Sequence, residues 1–175
     1  MFKRFLTATV GLTVVFALPT QAADGTINFR GEIKDITCTV TADATVTLPT
    51  IRKTDLTSIG ATAGDTPFNI TLAGCNGSNA AGNGVAVHFE PGVTVNVDGR
   101  LNNTGTATNV QLAIYTEGSN TPFSLGARPI SQYRTTSQAN PHGITMPYTV
   151  KYFATSTTPG SGTVVSSVTY SVVYF

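Results

Sequence analysis

The chain has 175 residues and a formal net charge of +1, with 11% charged residues, 41% hydrophobic residues, 17 Gly, 9 Pro and no Trp. That length supports one domain with a sizeable core, and the composition excludes a coiled coil and a charge-rich disordered chain. Without Lys3 and Arg4 the charge becomes −1, with 8 basic against 9 acidic residues, so there is no electrostatic footprint for nucleic acid or an acidic membrane surface.

The N-terminus reads as an address. Met1-Phe2-Lys3-Arg4 is a positive start, Phe5 to Leu18 is apolar, and Thr20 and Ala22 stand at the −3 and −1 positions of a small-residue cleavage site. Residues 1–22 are therefore expected to be a signal peptide, since the apolar run falls short of the roughly 20 residues that span a bilayer. Export puts Cys38 and Cys75 in a compartment that permits disulfides, and neither belongs to a CxxC or lies near a His cluster. A bridge between them closes a loop of about 38 residues, a staple of roughly 4 kcal/mol in the chain-entropy model.

Beyond Ala22, apolar residues recur with period two, the signature of strands with one buried face. The runs in chain order are Ile27/Phe29/Ile33, Val46/Leu48, Phe68/Ile70/Leu72, Val85/Val87/Phe89, Val110/Leu112/Ile114, Met146/Tyr148/Val150/Tyr152 and Val164/Val168/Tyr170/Val172/Tyr174. Turn formers separate them, among them Asn76-Gly77, Asn83-Gly84, Asp98-Gly99 and Pro159-Gly160. Only Arg52 to Ile59 suggests a short helical turn. This pattern predicts an all-β, antiparallel sandwich.

Catalytic chemistry is thinly supplied. His88 alternates with Val87 and Phe89 and is expected to face water with Glu90, while His142 falls in a loop between Pro141 and Gly143. There is no GxSxG, no HExxH and no phosphate-cradling glycine loop. The expectation is no enzyme, no metal and no cofactor.

Both ends of the exported chain read as strands. From Gly25 to Asp35 the first would reach about 36 Å at ~3.3 Å per residue, well beyond an ordinary strand. Gly31 interrupts its apolar face, where glycine weakens a strand unless another backbone or a shallow pocket approaches closely.

The chain resembles the pilins of Gram-negative chaperone-usher fimbriae, of the type 1 kind. The residues carrying the resemblance are Gly25-Thr26-Ile27-Asn28-Phe29-Arg30-Gly31-Glu32-Ile33 followed by Cys38, Thr66-Pro67-Phe68-Asn69-Ile70-Thr71-Leu72-Ala73-Gly74-Cys75, Ala107-Thr108-Asn109-Val110-Gln111-Leu112, and Pro147-Tyr148-Thr149-Val150-Lys151-Tyr152-Phe153-Ala154-Thr155. The C-terminal signature is the sharpest, a penultimate Tyr174 with Gly162 upstream, and Phe175 as the last residue is one departure.

The resemblance implies an incomplete immunoglobulin-like β-sandwich lacking its last strand, completed by a donor strand. Residues 23–37 would be the N-terminal donor-strand extension, with Ile27, Phe29, Gly31 and Ile33 on its inserting face, and 38–175 the pilin domain, in which Cys38 pairs with Cys75. Gly162, Val168, Tyr170, Val172, Tyr174 and Phe175 would form the strand that a periplasmic chaperone captures. The implied function is a structural fimbrial (pilus) subunit that supports adhesion. It would pass through the periplasm and an outer-membrane usher to the cell surface, and polymerise with neighbouring fimbrial subunits, as a homopolymer. The rival reading is a secreted monomeric β-sandwich that binds carbohydrate.

Overall fold

Period-two runs become paired strands where the backbone finds a ladder. The computed structural model describes residues 30, 37–43, 45–76, 84–127, 134–135 and 144–174. Of two units, Met1–Glu32 and Ile33–Phe175, the first has only Arg30 among the described residues, so the architecture is that of the second. The expected signal peptide, Ile27, Phe29, Gly31, Ile33, His142 and Phe175 lie outside the described residues.

Eight strands are described: β1 (Thr37–Ala42), β2 (Thr62–Asn76), β3 (Gly84–Phe89), β4 (Leu101–Asn102), β5 (Val110–Thr116), β6 (Arg134–Thr135), β7 (Ile144–Ala154) and β8 (Tyr170–Tyr174). They form two antiparallel sheets, ordered β1-β2-β7-β5-β4 and β6-β3-β8. The expected helical turn is a 3₁₀ turn at Lys53–Asp55, where the Asp55 carboxylate accepts the Arg52 backbone N–H at 3.0 Å.

One core lies between the sheets. It takes Ile70 and Leu72 from β2, Val85, Val87 and Phe89 from β3, Leu112 and Ile114 from β5, and Met146, Tyr148 and Val150 from β7. Tyr148 joins the layers: its ring stacks on Phe68 at 5.3 Å and meets the edge of Phe89, from the other sheet, at 5.2 Å.

Three features depart from the alternation. Val46/Leu48 and Val164 to Val168 are in the register of strands, yet 45–50 and 163–169 are extended segments without strand pairing. Among the described residues the second is bonded along one side, through Thr104 N to Val165 O, Ala107 N to Thr163 O and Glu90 N to Thr169 O. His88 is not the exposed residue its alternation suggests: its side chain is 19% exposed and sits 3.4 Å from Glu90. Tyr115 is on the outer face of β5 yet 4% exposed, because Lys151 lies 4.9 Å over its ring while pairing with Asp65 at 3.0 Å. Burial, then the Asp65 charge, raises the Tyr115 phenol above its ordinary pKa, with Arg100 opposing.

Candidate functional site

The two sheets leave one side open. β1 ends the first sheet and β8 ends the second, so each has a ladder partner on one side only among the described residues. Between the segments that continue these edges, 42–48 and 164–170, a cleft of about 430 Å³ opens onto the core. Its walls carry Val46, Leu48, Val164 and Val168, its floor reaches Phe89, Leu112, Ile114 and Val150, and among the described residues Asp43 is the one charged side chain lining it. A second cavity of about 570 Å³ shares Val164 and Val165 with the first and extends between 50–56 and 159–165.

The same groove explains an odd burial pattern. Ala42, Val46, Leu48, Val164, Val168, Tyr170, Val172 and Tyr174 all pack against the core while remaining only partly buried. Apolar side chains half in water, flanking unpaired strand edges, are what a sandwich shows where a strand is missing.

The C-terminal residues singled out from sequence are brought together along one wall. Tyr170, Val172 and Tyr174 lie opposite Phe89, Val87 and Val85 of β3, which turns them onto the core, and Val168 continues the same face. Gly162 is elsewhere, at the far end. A Cβ there would meet Ala107 N at 2.5 Å, and its φ of +156° lies at the border of the glycine-favouring region, so a glycine lets the chain pass Thr106–Ala107 before it enters the groove wall.

Two contacts tie the walls at the groove's ends. The backbone N–H of Cys38, in β1, donates to the Tyr174 hydroxyl at 3.2 Å, bridging the two edge strands. At the other end the Tyr152 hydroxyl donates to Pro49 O at 3.1 Å, and burial keeps that phenol's pKa above its ordinary value, so it remains a donor. Cys38 is disulfide-bonded, while the Cys75 side chain lies outside the described residues.

Among the described residues, a serine, a histidine and an acid meet where β8 runs beside β3 and Glu90. Ser171 donates to Glu90 Oε1, and His88 Nε2 lies 3.4 Å from Glu90 Oε2. The carboxylate thus sits between the other two, whereas an activated serine needs the imidazole on its hydroxyl. His88 Nδ1 is buried with no hydrogen-bond partner. Among the described residues no cluster of three or more His, Cys, Asp or Glu is arranged to hold a metal ion.

Sequence reasoning missed the contribution of 45–50 to the groove, whose only signal was the Val46/Leu48 alternation.

Comparison with known proteins agrees with this geometry. A family model described as fimbrial protein matches residues 27–174. The chain is 40% identical to the major fimbrial subunit SMF-1 of Stenotrophomonas maltophilia over 90% of its own length and 96% of that protein's. It is 36% identical to the F17 fimbrial protein of Escherichia coli, covering 89% of each. Among solved structures, the P pilus rod subunit PapA superposes with a TM-score of 0.58 at 14% identity, over 79% of this chain and 99% of that one. A chaperone-usher pilus structure concerned with rod uncoiling gives 0.58 at 19% identity, over 91% and 100%. At those identities the likeness is one of fold, an immunoglobulin-like sandwich without its final strand. The open sandwich, the matched family model and the two relatives in sequence lead to one assignment: the chain belongs to the fimbrial protein family.

Proposed function

We propose that this chain is a structural subunit of a surface fimbria that polymerises by donating its N-terminal extension, residues 23–37, into the groove of a neighbouring copy. The observation that carries the reading is the groove itself, open between two edge strands and lined by half-buried apolar side chains. An inserted strand answers both deficits at once: it pairs with free backbone groups and it covers the core. Ile27, Phe29 and Ile33 would enter the groove, and Gly31 would sit where it is too shallow for a side chain. No catalytic step is needed for such a role.

The test is the assembly state of the purified, exported protein. Size-exclusion chromatography is expected to show a ladder of oligomers. A single monomer peak that binds saccharides would instead favour the carbohydrate-binding module.

An open core is a hazard before assembly, so a periplasmic chaperone is assigned the task of covering it, and an outer-membrane usher that of passing subunits to the surface. β8, with Val172 and Tyr174, is the chaperone's landing edge in this reading, because it has a ladder partner on one side only among the described residues; Phe175, expected to join that edge, lies outside them. Tyr174→Ala is expected to abolish co-purification with the chaperone. Tyr174→Phe, which keeps the ring and loses only the bond to Cys38 N, is expected to retain it and to cost about 1 kcal/mol of stability. Equal binding by the alanine variant would remove Tyr174 from the landing edge.

Cys38 and Cys75 form the bridge. Supporting this, the β1–β2 register places Thr37 opposite Asn76 and Thr39 opposite Ala73, with an irregularity between, so the backbone at Cys38 faces the Gly74–Cys75 stretch. Peptide mapping without reduction is expected to recover the two cysteines in one linked fragment, and two alkylated thiols would refute the pairing.

A further inference from the structure

The loop between β3 and β4 makes two consecutive β-turns. Val95 N donates to Gly92 O and Gly99 N to Asn96 O, each at 3.0 Å, so Val93 and Val97 each occupy the first corner of a turn. Their relative exposures are 102% and 103%. Proline is favoured at that corner and turns are otherwise the province of small polar residues; a β-branched apolar side chain gains nothing by standing there in water.

Isolated exposed valines need no explanation, but these two share one braced loop. The Asn96 side-chain oxygen accepts from the backbone N–H groups of Asp98 and Arg100, both at 3.0 Å, and Asn102 N donates to Thr94 O at 2.7 Å. The Thr94 hydroxyl donates to the carbonyl of Ser167, a residue of the groove wall, so the loop is fastened to that wall from behind. Both corners are held in place before any partner arrives, which lowers the entropy lost on contact.

We infer that Val93 and Val97 contact a second copy of this chain in the same fibre. The inference rests on the polymerisation reading and adds a second subunit contact to it. Size selects this occupant: two valines hide far less than the about 1,200–2,000 Å² that a stable complex of free proteins buries. Copies already joined through their grooves meet at an effective concentration on the order of millimolar, where so small a patch suffices. Charge agrees, since Asp98 and Arg100 beside the patch pair with each other at 2.6 Å and leave no local net charge to repel an identical surface.

The experiment uses intact fibres of the full chain carrying photoreactive benzoylphenylalanine in place of Val97. Irradiation followed by mass spectrometry is expected to give a product of two copies of this chain joined through position 97. In parallel, the Val93→Ser, Val97→Ser double variant is expected to form fibres, since its groove and extension are untouched. Its persistence length in electron micrographs should fall about twofold or more as the second contact is lost. Fibres that give no such product, or products with another protein, or an unchanged persistence length in the double variant, would overturn this inference alone. Absence of fibres from the unmodified chain would overturn the polymerisation reading and this contact with it.

Discussion

Cells expressing the Phe29→Asp or Gly31→Leu subunit are expected to hold it folded on its chaperone and to display no fibres. In the strand-donation reading an inserted extension would place three large apolar side chains, Ile27, Phe29 and Ile33, in the neighbour's groove, each contributing roughly 1.5 to 3 kcal/mol. Phe29→Asp removes one of these and puts a carboxylate against a floor made of Phe89, Leu112, Ile114 and Val150, which supplies no cation to pair with it. Gly31→Leu acts differently, by a steric block at the shallow position. On this reading the subunit's own core would be unchanged in both variants, because the groove would be filled by another chain. Electron microscopy of the cells, with an assay for chaperone-bound subunit in the periplasm, checks both halves of the expectation. Normal fibres from both variants would make the N-terminal strand part of its own domain and end the strand-donation account.

The second large effect concerns the core between the sheets. Tyr148→Ala is expected to lower stability by about 3–5 kcal/mol, the range for truncating a large aromatic in a close-packed core. Tyr148 is 2% exposed, stacks on Phe68 and meets Phe89, so its loss opens a void between the sheets. Tyr148→Phe keeps the ring contacts with Phe68 and Phe89 and removes the hydroxyl, which lies 3.9 Å from Met146 Sδ, and is expected to cost less than the alanine variant. Urea unfolding of the purified subunit separates the two. An alanine variant as stable as the phenylalanine variant would mean that Tyr148 does not hold the layers together.

The strands that build the core were legible because period two identifies a buried face: Phe68/Ile70/Leu72, Leu112/Ile114 and Met146/Tyr148/Val150 turn it into the core between the sheets, and Val110 buries against Leu56 and Ala154. Periodicity is silent about the backbone's partners. Val46/Leu48 and Val164/Val168 carry the same signal as true strands, yet their segments line an opening where one ladder is missing. It is equally silent about what covers the outer face. Ala86 and Ala113 are fully buried on faces that alternation assigns to water. His88 is enclosed beside Glu90, and Arg100 lies 4.3 Å over the Phe153 ring, because long polar side chains roof the sheets. The exposed corners Val93 and Val97 gave no periodic signal, since a turn has no face. The inserting residues themselves were read from spacing and family resemblance, and they lie outside the described residues.

The one-sided bonding of 163–174 has a mechanical consequence. From Thr163 to Tyr174 this wall is attached through bonds to Ala107, Thr104 and Glu90 and then through the five-pair ladder to β3. A strand lying in the groove would transmit tension along the wall rather than away from it. Load applied in that direction shears these bonds together, so they resist as a set. The same force applied across the wall would peel them one after another, beginning at an end. A fibre assembled this way would be strong along its axis and weak to forces that pry a single subunit sideways.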